Sequence, residues 1–73
     1  MDKYYYLIRH LVNLGHTVEI GQLSICVLYN QFYGYKFQVD SENSKYPYSK
    51  MYKEKDLDEA VEKFCEIKRT LKI

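Results

Sequence analysis

Apolar positions recur at steps of three and four over the last third of the chain. Leu57, Ala60, Val61, Phe64, Ile67, Lys68 and Leu71 fall on one face of a 3.6-residue helix. This predicts a helix over Asp56 to Lys72. Asp56 followed by Glu59 has the form of a capping box with an aspartate cap. Lys68, Arg69 and Lys72 fall in the last turns, where positive charge suits the helix dipole. Such a stripe has to be covered, and the Tyr-rich middle of the chain is the only large apolar surface on offer.

Helical spacing also marks Asp2 to Leu14. Tyr4, Leu7, Ile8, Leu11, Val12 and Leu14 form a broad apolar stripe, with Tyr5, Arg9, His10 and Asn13 expected on the wetter side. Asp2 can cap the start, and Gly15 can take the left-handed conformation that ends the helix. The period then changes from 3.6 to 2. Thr17 to Ile20 alternates as a short strand, and Gly21-Gln22 reads as a tight turn or bulge. Leu23 to Asn30 is the strongest strand signal, with Leu23, Ile25, Val27 and Tyr29 on one side and Ser24, Cys26, Leu28 and Asn30 on the other. Asn30-Gln31 and Gly34 mark a hairpin turn. Tyr35, Phe37 and Val39 alternate with Lys36 and Gln38 in a third strand ending near Asp40. Asp40 to Pro47 is polar and reads as an exposed loop. Tyr48 to Lys53 alternates again and predicts a short edge strand guarded by its lysines.

Short connections force antiparallel neighbours. The predicted fold class is therefore α+β: a two-layer α-β-β-β(-β)-α domain. It has a small antiparallel meander sheet and its C-terminal helix packed on one face. With 73 residues the chain makes one domain, residues 1–73, with a modest core.

Composition changes this picture little. The chain is 47% hydrophobic and 29% charged, which argues for a folded domain over disorder. Nine Tyr, three Phe and no Trp supply both core packing and a polar-tipped surface. The net charge of +1, from eleven Lys or Arg against ten Asp or Glu, gives no strong field of either sign over the whole protein. Locally the signs separate: residues 45–55 hold Lys45, Lys50, Lys53 and Lys55 against Glu54, and the start of the last helix is acidic. Two cysteines, Cys26 and Cys65, are fewer than a secreted mini-domain uses, and Met1-Asp2-Lys3-Tyr4 does not resemble a signal sequence. No apolar run is long enough to span a bilayer. The expectation is a cytoplasmic protein with free thiols and no membrane contact.

The search for chemistry yields weak signals. Cys26, Cys65, His10 and His16 lack metal-ligand spacing, and they read more simply as semi-buried thiols and helix-end imidazoles. A Cys65–His10 pair is a conceivable nucleophile and base, but so short a chain has little room to bury a substrate. The glycines are scattered at turns and form no phosphate cradle. No enzyme activity, metal or cofactor is expected. Nucleic-acid binding is a real competitor, because Tyr46, Tyr48 and Tyr52 interleave with Lys45, Lys50 and Lys53, near Tyr33, Tyr35 and Lys36. The plainer account is that these tyrosines fill the sheet–helix interface while the lysines solubilise an edge. Protein binding is the remaining class, since Tyr is enriched at hot spots. Asp40, Glu42, Glu54, Asp56, Asp58 and Glu59 could line one acidic edge for an Arg-rich groove.

One family comparison is open. It rests on Leu7-Ile8-Arg9, Asn13, Thr17-Val18-Glu19-Ile20, a strand pair, a Ser41-Glu42-Asn43 loop and Glu62-Lys63-Phe64 on a last helix. This order resembles the small phage-encoded anti-CRISPR inhibitors of type II effectors along most of the chain. The resemblance implies a non-enzymatic phage protein that occupies a DNA-binding surface of a Cas9-like nuclease. Those inhibitors typically replace phosphates with strong negative charge, whereas this chain is near neutral with a basic middle.

The leading expectation is a small interaction protein that blocks a bacterial defence or nucleic-acid-processing enzyme. Its contact surface is expected at Tyr33, Tyr35, Asp40, Glu42, Tyr46, Tyr48, Lys50, Tyr52 and Lys53. Nucleic-acid binding through the same tyrosines and lysines is the alternative. A homodimer through a tyrosine-lined face or an edge strand is a third option.

Overall fold

The first helix, α1 (Tyr5–Asn13), starts later than its apolar pattern suggests. The Asp2 carboxylate accepts the Tyr4 backbone N–H at 2.8 Å, and the Tyr5 N–H bonds the Asp2 carbonyl at 3.1 Å, so the chain makes a turn before the helix begins. The far end closes as expected. Gly15 takes φ +96°, and the Gly15 and His16 N–H groups bond the carbonyls of Val12 and Leu11. This computed structural model describes residues 2–28 and 32–73, Phe32 by its backbone alone.

The buried face of α1 is Tyr5, Ile8 and Val12, which corrects the expected phase of its stripe. Tyr5 is inside, while Tyr4, Leu7 and Leu14 are exposed. The cause is a second neighbour. Besides the sheet, α1 packs on the C-terminal helix, so its buried face turns toward that helix, and the Tyr5 phenol finds a polar partner there.

Four strands follow as an antiparallel sheet in sequence order: β1 (Val18–Ile20), β2 (Leu23–Val27), β3 (Tyr35–Ser41) and β4 (Tyr48–Lys53). The tight turn after β1 is made by Gly21-Gln22, with Gly21 at φ +60°. β2 ends at Val27, although the Leu28 N–H still bonds the Lys36 carbonyl. The rest of the expected strand, Tyr29 and Asn30, and the turn residue Gln31 lie outside the described residues. A single turn, Phe32–Gly34, leads into β3 with Tyr33 and Gly34 at positive φ. β3 takes in Asp40 and Ser41, the first two residues of the expected loop, because they pair with Ser49 and Tyr48.

Between β3 and β4 the register shifts. Tyr35 opposes Lys53, but Phe37 opposes Tyr52, leaving Lys36 as the extra residue of a bulge. Opposed residues share a face, and Lys53 and Tyr52 are neighbours on opposite faces. Tyr35 is therefore turned away from Phe37 and Val39, contrary to the simple alternation.

The last helix, α2 (Leu57–Leu71), buries Leu57, Ala60, Val61, Phe64, Cys65 and Ile67. The expected capping box is not formed, since no side chain caps the Asp56 end. A 3-10 turn, Glu54–Asp56, runs straight into the helix and offers backbone carbonyls to its first N–H groups. Lys72 at φ +57° closes the other end.

Both helices lie on one face of the sheet. Ile8 and Val12 from α1 and the α2 stripe meet Leu23, Ile25, Phe37, Val39 and Tyr52 in one core. α1 packs on β1 and β2, and α2 on β2, β3 and β4. The architecture is a two-layer α+β domain. Its second sheet face, carrying Ser24, Cys26, Gln38, Asp40, Ser49 and Met51 by register, is not covered by either helix.

Candidate interaction surface

Register sorts the nine candidate residues into separate places. Tyr48, Lys50 and Tyr52 oppose Ser41, Val39 and Phe37, so they point to the helix side of the sheet. Tyr35, Asp40 and Lys53 point to the open face. Tyr33, 87% exposed, sits in the turn before β3. Glu42 follows the opposite end of β3, its N–H bonded to the Gln22 carbonyl. Seven extended residues span about 20 Å, so Tyr33 and Glu42 lie far apart. The expected acidic edge is divided in the same way. Asp40 and Glu42 are at one end of β3, while Glu54 is at the other, 3.3 Å from the Lys36 ammonium.

What the fold does gather is a tyrosine crease between edge strand β4 and the α2 helix. Leaving the bulge, β4 brings Tyr52 under α2, where it is only 3% exposed. Tyr48 and Tyr52, four residues apart on the same face of β4, bring their hydroxyls to 2.5 Å of each other. Tyr46, in the turn before β4, donates its hydroxyl to Glu66 at 2.7 Å, and Lys63 donates to the same carboxylate oxygen at 2.9 Å. The Tyr46 and Tyr48 rings meet edge to face with centroids 6.3 Å apart. Lys63 lies 5.5 Å from the Tyr48 ring centre and Lys50 lies 5.0 Å from that of Tyr52.

These contacts set the charge states. The Lys63 ammonium, then the Tyr46 hydroxyl, hold the Glu66 carboxyl below its usual range. The same bond raises Lys63. Donating its proton to the Glu66 carboxylate favours the neutral Tyr46 phenol, so its pKa is pushed up, first by Glu66. Burial, then the Tyr48 bond, raises Tyr52. All four groups are thus held in their ordinary neutral-pH forms, which suits a docking surface.

The solvent side of α2 above this crease is acidic. Glu59, Glu62 and Glu66 are exposed there and border a shallow concavity of about 740 Å³, which Lys50, Lys63 and the exposed Arg69 also line. Sequence reasoning missed Glu62 and Glu66 as surface partners of the tyrosines. Their spacing from Glu59 at i+3 and i+7 is the signal that could have found them.

The thiols and imidazoles occupy different places. Cys65 is buried in α2, its thiol pushed up by burial and by Asp2. Cys26 is on the open face, raised by partial burial and by Asp40. His10 and His16 are exposed. Among the described residues, no group of three or more His, Cys, Asp or Glu is placed to hold a metal ion. Among them, too, no helix is long and apolar enough to cross a membrane.

No protein-family model matches this chain, and no curated protein or solved structure matches it.

Proposed function

We propose that this chain is a non-enzymatic interaction module that occupies the surface of a partner protein through the outer side of α2 and the tyrosine crease beside it. The observation that carries this reading is the segregation of charge. Residues 56–66 hold Asp56, Asp58, Glu59, Glu62 and Glu66 against a single lysine, Lys63. A chain near neutral overall thus presents a local acidic ridge flanked by phenols. Aromatic groups at the centre of a contact with carboxylates at its rim suit a basic groove on a protein. Enzymes that handle nucleic acids carry such grooves, because they must hold phosphates. The specific form of the proposal is a phage-encoded inhibitor that sterically blocks a bacterial defence or nucleic-acid-processing enzyme in the cytoplasm, with a Cas9-like nuclease as the particular target.

The test is a cleavage assay. Added to such a nuclease with its guide and DNA, the chain is expected to suppress cutting. Glu59→Lys with Glu62→Lys should weaken inhibition roughly tenfold, the equivalent of about 1.4 kcal/mol of lost complementarity. Cleavage unaffected by the chain removes the nuclease target. Affinity capture from a bacterial lysate that recovers only RNA or DNA removes the protein-partner reading.

Direct nucleic-acid binding is the second reading. Lys50, Lys53 and Lys55 gather around a small concavity of about 250 Å³ beside Tyr35 and Met51, which favours it. It has less support for base stacking. Tyr52 is buried, and lysines lie over the rings of Tyr35, Tyr48 and Tyr52. This reading requires oligonucleotide binding that falls steeply with salt and is lost in Lys50→Glu with Lys53→Glu.

A further inference from the structure

The two edges of the sheet are unequal. β1 is three residues long and carries the exposed Glu19. β4 is six residues long, and among the described residues it is paired on one side alone, with β3. Its outward main-chain N–H and C=O groups form an open template for another strand. The charge along this edge is basic. Residues 45–55 hold Lys45, Lys50, Lys53 and Lys55 against Glu54, and Glu54 is 3.3 Å from the Lys36 ammonium. Lys50 leaves from the helix side of β4 and Lys53 from the open side, yet both border the concavity of about 250 Å³ at this edge, with Lys55. Asp56 and Glu59 border it too, but they follow the strand, in the 3-10 turn and the first turn of α2. Glu66, the carboxylate beside Tyr46, is engaged by Lys63.

We infer that the outer side of β4 is a docking edge for an acidic, extended segment of a partner protein, which joins the sheet as a fifth strand. Such a segment satisfies the open main-chain groups and complements the lysines at once. Its side chains alternate between the faces. Carboxylates on one face meet Lys50, between Tyr48 and Tyr52, and carboxylates on the other meet Lys53. Asp56 and Glu59 repel an acidic chain that runs on past Lys53, which fixes where the segment ends. Lysines on an edge keep most strands away, and here they also select. A second copy is disfavoured. Two β4 strands paired about a two-fold at Lys50 or Met51, with all helices on one side, set Lys50 opposite or diagonal to its own copy, and the like charges repel. A nucleic-acid strand has the right charge, but its backbone has no N–H to give the open carbonyls of β4. The edge is separate from the acidic ridge of α2, and either can act without the other.

Fluorescence anisotropy of the full chain with labelled, end-capped peptides tests it. A peptide of four Val-Glu repeats should bind, and the matching Val-Gln peptide should bind roughly tenfold more weakly. A Pro-Glu repeat has the same charge but cannot join a strand ladder, so it should be weaker by roughly the same factor. Lys50→Glu with Lys53→Glu should weaken the Val-Glu peptide by at least about tenfold. No binding of the Val-Glu peptide overturns the inference. Equal binding of the Val-Glu and Pro-Glu peptides also overturns it, because the edge is then only a charged patch. A single-stranded oligonucleotide that binds more tightly and displaces the peptide assigns the edge to nucleic acid instead. Should the double variant lose its circular dichroism, hydrogen exchange in the wild-type chain decides. Slowing of amides within residues 48–53 on adding the Val-Glu peptide supports the docking edge. Rates that the peptide leaves unchanged overturn it, and slowing with chain concentration alone assigns the edge to a second copy.

Discussion

The Tyr5 hydroxyl donates to the Asp58 carboxylate at 2.9 Å, joining residues 53 positions apart and tying α1 to α2. Arg9 donates to the same oxygen, so one carboxylate collects two donors from one helix face. The phenol ring is buried and its tip is satisfied, which is why a residue that looks polar in the α1 pattern sits inside. Tyr5→Phe keeps the ring and removes the bond. Its expected cost is about 1 kcal/mol, read from urea unfolding. Tyr5→Ala also removes the packing and should cost about 3–5 kcal/mol. Equal stability of Tyr5→Phe and wild type would show that the Asp58 bond contributes nothing.

Three carboxylates make stability depend on acid pH. Asp58 is held low first by the Arg9 bond and then by Tyr5; Asp2, first by the Tyr4 backbone N–H; Glu66, first by Lys63. For groups with a depressed folded pKa, the stabilisation is present above the unfolded values, 3.8 for Asp and 4.5 for Glu, and is lost as pH falls through the folded ones. Asp58 and Glu66 are exposed, so solvent screening keeps their effect small, whereas the Asp2 side chain is 6% exposed and lies 3.5 Å from the Lys68 ammonium. The melting temperature should hold steady from neutrality to about pH 5 and decline below it. Asp58→Asn should flatten part of that decline, as thermal melts across this range will reveal.

Much of the fold was legible because the chain's periods are clean. The step from 3.6 to 2 at Thr17, and back at Asp56, places every element to within a few residues. What escaped was information held between elements. The phase of α1 depends on α2, which the α1 pattern cannot report. Tyr35 is turned by a bulge at Lys36, and nothing in the local alternation marks an extra residue there. Asp56 and Glu59 match a capping box, but the preceding 3-10 turn takes over that role. The candidate surface suffered most, since its residues were grouped by closeness in sequence. Along a strand, neighbours in sequence leave from opposite faces, so Lys50 and Tyr52 start on the helix side and Lys53 on the open side, although they border one concavity at the β4 edge.

Alkaline pH should destabilise the chain through tyrosine. Burial, then the Asp58 bond, pushes Tyr5 up to about 12, and burial, then the Tyr48 bond, also raises Tyr52. A raised folded pKa means that the folded state keeps a proton that the unfolded state releases. The stabilisation is complete below the ordinary value of 10.0 and is lost as pH rises through the folded one. Phenolate absorbance should therefore rise in two stages, exposed rings first, with Tyr5 and Tyr52 ionising only as the chain unfolds. In Tyr5→Phe the late stage should shrink. A single smooth titration of all tyrosines near pH 10 would contradict the burial of these two rings.

Phe64 offers the sharpest test of the packing. It is fully buried in the middle of α2, in the core that α2 forms over β2, β3 and β4. Phe64→Ala leaves a cavity and should cost about 3–5 kcal/mol. A chain of 73 residues has about that much stability in all. The variant is therefore expected to lose cooperative melting near room temperature, and Phe64→Leu, which keeps most of the volume, to lose roughly 1–1.5 kcal/mol and still melt cooperatively. On the solvent side of the same helix, Glu62→Gln should shift stability by less than about 0.5 kcal/mol. Circular dichroism melts of the three variants separate the two sides of α2. If Phe64→Ala melts like the wild type, α2 does not pack on the sheet as described, and the tyrosine crease loses the helix that forms one of its walls.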